Sequence, residues 1–101
     1  LSSLSKIDPA ITQHLKDIDG LIYGDGALPR KTKLLIAMAF DAAHGAVNGV
    51  RALASAALTA GATKQEIAET IALVGVFGGI PAMTKAMELA REVMEQDEGT
   101  A

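Results

Sequence analysis

The chain has no cysteine. That excludes disulfides, thiolate-held zinc and any thiol redox cycle carried by its own side chains. It also fits a reducing cytoplasm, the compartment expected here. Aromatic residues are scarce, with two Phe, one Tyr and no Trp in 101 residues. Half of the residues are nevertheless hydrophobic, and 19 are alanine. Such a core buries little area per residue, so its helices must approach closely, and a chain this short tends to complete its burial by self-association. Positive charge is not in excess. The formal net charge is −3, whereas phosphate backbones call for clustered Lys and Arg, so nucleic acid is not an expected partner. A bilayer-spanning run is missing as well: the longest apolar stretch, 34–60, is broken by Asp41, His44, Asn48, Gly49 and Arg51. Residues 1–10, LSSLSKIDPA, carry no apolar leader core, so no secretory signal is expected there.

What is present is a series of punctuated helices, with no convincing strand. Asp8-Pro9 pairs a cap with a proline suited to the first helical position, and Ile11, Leu15, Ile18 and Ile22 follow at helical spacing. This predicts a first helix over 8–22, closed by the glycines between 20 and 26. Pro29 opens a second helix with Leu34, Leu35, Met38 and Ala42 on one side. His44-Gly45 is a break or kink, and a third helix is expected from about Ala46 to Ala60, ended by Gly61 in a left-handed conformation. Thr63 and Glu66 form a capping box for a fourth helix carrying Ile67, Ile71, Val74 and Phe77. Gly78-Gly79 stops it and Pro81 restarts the chain. In the last helix Met83, Met87, Ala90 and Met94 repeat as a narrow seam, and the tail DEGTA is expected to fray. The loops are short, as in a helical bundle.

Few side chains could do chemistry. On a continuous helix Asp41, His44 and Asn48 would share a face, with Arg51 one turn further on. Asp41 could then orient the His44 imidazole as a base, while Asn48 and Arg51 bind a small carboxylate. The alternative is that His44 closes a helix, where the dipole favours it, and that Asn48 and Arg51 form a solvated edge. His14 reads as a surface residue. Asp41 and His44 fall short of the three or four protein ligands a metal usually needs, so no metal site is expected. Ser55 has no base at helical spacing, and Gly75, Gly78 and Gly79 lack the spacing of a phosphate loop. No cofactor is implied.

Three segments carry a family resemblance: LPRKTKLLIAMA at 28–39, AALTAGATKQEI at 56–67 and GGIPA at 78–82. From Leu28 to about Ala90 they resemble the carboxymuconolactone decarboxylase and alkylhydroperoxidase D-like family. The middle segment, a helix ending in A-G-A-T before a capping box and E-I, is the most specific. The LPR-x-T and GIPA elements are closer to the decarboxylase branch. The resemblance implies an all-α, compact bundle of about five helices in a single domain, 1–101, with a family-like core over 28–94 and the N-terminal helix outside it. It also implies self-association as a trimer or hexamer.

In the peroxidase branch the family carries Cys-x-x-Cys-x-x-x-His, with a Glu on the preceding helix. Threading this sequence through that motif places Ala46 and Gly49 at the cysteines, Leu53 at the histidine and Leu34 at the glutamate. None of the four can ionise or attack, so thiol peroxidase chemistry is excluded. The decarboxylase branch keeps a histidine where this chain has Leu53, which removes that branch's acid–base group too. Two functions are then expected to compete. One is a non-catalytic, small-ligand-binding or scaffold homo-oligomer. The other is an acid–base enzyme, a lyase, isomerase or hydrolase on a small carboxylate or lactone, using His44 with Asp41.

Overall fold

The computed structural model describes residues 8–100. The segment 1–7, which holds most of the stretch read as lacking a leader, and Ala101 lie outside the described residues. Five helices follow one another: α1 Pro9–Tyr23, α2 Arg30–Ala43, α3 Val47–Thr59, α4 Lys64–Phe77 and α5 Ile80–Thr100. No strand occurs among the described residues. The chain divides into two compact units, one up to Arg30 and the other from Lys31 onward.

In the first unit, α1 begins as its sequence dictates. The Asp8 side chain accepts from the Ala10 N–H at 3.0 Å, and Pro9 takes the first helical position, where no donor is needed. Gly24 closes the helix through its N–H to the Gly20 carbonyl at 2.9 Å. The Asp25 carboxylate then accepts from the Arg30 N–H at 2.6 Å, so an acid five residues upstream satisfies a free donor at the start of α2.

The second unit holds the core. Leu34, Met38 and Ala42 of α2 are buried, as are Val50, Ala54 and Ala57 of α3, Ile67, Ile71 and Val74 of α4, and Ala86, Leu89 and Ala90 of α5. With Ala62, six of these thirteen residues are alanine. Small side chains let the backbones approach, and α5 packs along both α4 and α3. Helix ends fall where local chemistry puts them. Gly45, Gly61 and Gly79 each take positive φ, at 76°, 101° and 92°. Thr63 and Glu66 complete the capping box, with the Thr63 hydroxyl accepting from the Glu66 N–H at 3.0 Å and the Glu66 carboxylate accepting from the Thr63 N–H at 2.8 Å.

Three details depart from the sequence reading. The α5 seam runs through Ala86, Leu89 and Ala90, while Met83, Met87 and Met94 are half-buried beside it. Alanine permits the closest approach, and the longer methionines cover its edges. Phe77 does not continue the buried stripe of Ile67, Ile71 and Val74; it is 85% exposed. The ends of α4 and α2 approach closely at Gly78, where a Cβ would meet the Ala43 Cα at 3.0 Å, and Phe77 lies on the side of α4 that lines a groove beside α2. Finally, α5 continues into the tail expected to fray, as far as Thr100, because neither proline nor a capping motif stops it.

Candidate functional site

A groove lies between α2 and α4. Thr32, Leu35, Ile36, Ala39, Phe40 and Ala43 line it from α2, and Thr70, Leu73, Val74 and Phe77 from α4. His44 joins the lining just past the end of α2. The volume is about 670 Å³, in the range of small-molecule sites. The walls are overwhelmingly apolar. The Thr70 hydroxyl is already engaged, donating to the Glu66 carbonyl at 2.8 Å. His44 is the one ionisable side chain in the lining.

The geometry at His44 is that of a helix cap. Its backbone N–H donates to the Phe40 carbonyl at 3.1 Å, and its ring Nδ1 lies 2.7 Å from the same oxygen. A carbonyl only accepts, so Nδ1 carries the hydrogen and the neutral ring keeps its lone pair on Nε2. The imidazole is therefore exposed, oriented and at the border of the groove.

The polar stripe expected on a continuous helix is dispersed by the turn at Gly45. Asp41 turns to α3: a Cβ on Gly49 would collide with its carboxylate, so that carboxylate rests against the first turn of α3. An acid is favoured there by the helix dipole. No hydrogen bond joins Asp41 to His44 among the described residues. Asn48 is exposed in the same first turn. Arg51 pairs with Glu92 at 3.3 Å and ties α3 to α5. His14 is exposed on α1. Among the described residues no three His, Asp or Glu are placed to hold a metal ion.

The four positions that align with peroxidase chemistry are equally scattered in environment. Leu34 is buried in the core, Ala46 is exposed at the N-cap of α3, Gly49 backs the Asp41 carboxylate, and Leu53 is half-buried on α3. None of them lines the groove. The clearest electrostatic perturbation is structural. The Thr63 N–H, and then the Lys31 ammonium at 3.0 Å, hold the Glu66 carboxyl below its ordinary value.

The groove itself escaped the sequence reading, although a signal for it was present. From Ile67 to Phe77 only Glu69 and Thr70 are polar, so α4 is apolar around most of its circumference. One such face fills the core. The other, with Leu73 and Phe77, borders the groove opposite Ile36 and Phe40.

Comparison with known proteins agrees with this architecture. The model of the carboxymuconolactone decarboxylase family matches residues 9–92, and so takes in α1, which the three sequence motifs left outside. An uncharacterised 15.0 kDa protein encoded in the nqo9–nqo10 intergenic region of Paracoccus denitrificans is 38% identical over 102 residues, covering 97% of this chain and 76% of the relative. A 4-carboxymuconolactone decarboxylase of Acinetobacter baylyi is 33% identical over 76 residues, covering 75% of this chain and 57% of that enzyme. The crystal structure of an apo carboxymuconolactone decarboxylase family protein from Legionella pneumophila superposes with a TM-score of 0.82 at 28% identity, covering 93% of this chain and 84% of that one. Its helices, its motifs and the extent of these matches together place this cysteine-free chain in the carboxymuconolactone decarboxylase family.

Proposed function

We propose that the chain is a non-catalytic member of its family, a homo-oligomer that holds a small, largely apolar ligand in the α2–α4 groove. The groove carries this reading: about 670 Å³ lined almost wholly by aliphatic and aromatic side chains. Such walls bind by removing apolar surface from water, at roughly 25 cal/mol per Å² before the costs of association. They offer little that would stabilise developing charge in a reaction. The replacement of the aligned thiols, histidine and glutamate by Ala46, Gly49, Leu53 and Leu34 points the same way.

Titration with the fluorescent apolar probe N-phenyl-1-naphthylamine tests the reading. Saturable binding is expected, weakened at least about tenfold by Ala39→Phe, since a large ring on the α2 wall fills the space the ligand would occupy. Wild-type protein that shows no saturable binding would discard the proposal.

One observation favours the acid–base alternative. His44 borders the groove with its Nδ1 tied to Phe40 and its Nε2 available as a base. The relative from Acinetobacter baylyi suggests 4-carboxymuconolactone as the substrate to try. No decarboxylation is expected, because the Asp41 carboxylate rests against α3 instead of orienting the imidazole. Turnover that disappears in His44→Gln, with helicity unchanged, would establish the enzyme instead.

A further inference from the structure

The chain has only two phenylalanines, and neither is in the core. Phe40 is 63% exposed and Phe77 85%, while alanine, leucine, isoleucine, valine and methionine fill the interior. A large ring ordinarily contributes most when it is buried, yet both line the α2–α4 groove. They also stand at the same end of it. Lys31 meets Glu66 near the starts of α2 and α4, and a Cβ on Gly78, just past α4, would meet Ala43, the last residue of α2. The two helices therefore run side by side in one direction, with Phe40 one turn before His44 and Phe77 beside Gly78. His44 follows at that end, its ring Nδ1 2.7 Å from the Phe40 carbonyl. The groove is thus divided by chemistry. One end has two rings and the Nε2 lone pair; the rest runs along Leu35 and Ile36 towards Thr32 and Thr70. At the helical rise per residue, the α2 wall from Thr32 to His44 is about 18 Å long.

We propose that the groove takes a phenol carrying an apolar tail. The hydroxyl donates to His44 Nε2, the aromatic ring lies against Phe40 and Phe77, and the tail extends along Leu35 and Ile36. The inference rests on the ligand-binding reading of the groove and adds to it the ligand's chemical class and direction. The lone pair selects the head. A neutral imidazole whose Nδ1–H is engaged can only accept at Nε2, so it favours a ligand with a hydrogen to give. A carboxylate has none, and its lone pairs would face that of the nitrogen. Among the described residues no Lys or Arg lines the groove to offset this, and Lys31, near the far end, is paired with Glu66 at 3.0 Å. The two phenylalanines select an aromatic body, since offset or edge-to-face ring contacts add to the area buried. An aliphatic alcohol would satisfy the nitrogen and leave that preference unused. Phenol without a tail would leave the aliphatic length of the groove in water.

Isothermal titration calorimetry with 4-pentylphenol, its methyl ether 4-pentylanisole and 4-pentylbenzoate tests the assignment, at about pH 8 so that histidine at its ordinary pKa is neutral. The phenol should bind at least about fivefold more tightly than the ether, which keeps ring and tail but has no hydrogen to donate, and than the benzoate. His44→Phe keeps a ring at the border and removes the acceptor, so phenol and ether should then bind within about twofold of each other. Phe40→Leu should weaken the phenol roughly threefold and retain its preference over the ether. Both positions are exposed, so helical circular dichroism should be unchanged. Equal affinities of phenol and ether in the wild type would overturn the proposal, without recourse to any variant. So would a preference that persists in folded His44→Phe, or a benzoate that binds more tightly than the phenol. Binding of N-phenyl-1-naphthylamine with no discrimination between phenol and ether would overturn the polar end while sparing the groove as a ligand site. If none of the four compounds binds, the ligand reading itself falls, and this assignment with it.

Discussion

A glycine inside a helix normally costs about 0.5–1 kcal/mol relative to alanine, so Gly49 in the first turn of α3 looks open to improvement. The tertiary structure offsets that gain. A Cβ at that position would occupy the space of the Asp41 carboxylate, the end of a half-buried side chain that must swing aside. Gly49→Ala is therefore expected to give no net stabilisation, staying within about 0.5 kcal/mol of wild type. In an Asp41→Ala background the same substitution should become stabilising by about 0.5–1 kcal/mol, because only the helix propensity is left. Urea denaturation of the four proteins closes this cycle; equal effects of Gly49→Ala in both backgrounds would contradict the contact. His44 shows the same dependence on surroundings. Its ring could have served a site on a continuous helix, yet the Phe40 carbonyl claims Nδ1 and makes the residue a cap beside the groove.

Among the elements, α4 carries the most explicit local instructions. Its capping box satisfies two donors reciprocally, and Thr63→Ala should cost about 1 kcal/mol, read as a lower urea midpoint. Glu66 also receives the Lys31 ammonium, which links the start of α2 to the start of α4. Together these contacts hold its carboxyl below the ordinary value of 4.5. A lowered pKa contributes stability that is fully present above the unfolded value and is lost as pH falls through the folded one. The advantage of wild type over Glu66→Gln in thermal melts should therefore be largest near neutral pH. It should shrink as the pH drops below 4.5. An advantage that is constant from neutrality to strong acid would show that the charge on Glu66 is not involved. This part of the fold was legible in the sequence because capping is settled within four residues.

For the whole molecule, the question is whether the family's thiol chemistry could be restored at its aligned positions. Ala46→Cys with Gly49→Cys supplies both sulfurs but no proton relay, since Leu34 is buried in the core and Leu53 is half-buried on α3. A side chain at position 49 would also displace Asp41. Peroxide consumption coupled to a dithiol should stay at the background rate of free cysteine; turnover well above it would show that a relay exists elsewhere. These positions also differ from one another in environment, with Ala46 exposed, Leu34 buried and Leu53 half-buried. No helix among the described residues is long and apolar enough to cross a membrane.

Most helix boundaries, though not the end of α5, were determined by the sequence alone, because they depend on chemistry within a few residues. Asp8 with Pro9 starts α1, Gly45, Gly61 and Gly79 take the positive φ that other residues resist, and Thr63 with Glu66 caps α4. Much of the core followed from spacing, as with Leu34, Met38 and Ala42 or Ile67, Ile71 and Val74. The motifs at 28–39, 56–67 and 78–82 likewise carried the family. Only the tertiary structure decided that the second apolar face of α4, with Leu73 and Phe77, lines a groove instead of entering the core. It also dispersed Asp41, His44 and Arg51 among a helix contact, a cap and an ion pair. One glycine turn between α2 and α3 ends the common helical face on which such a cluster would depend.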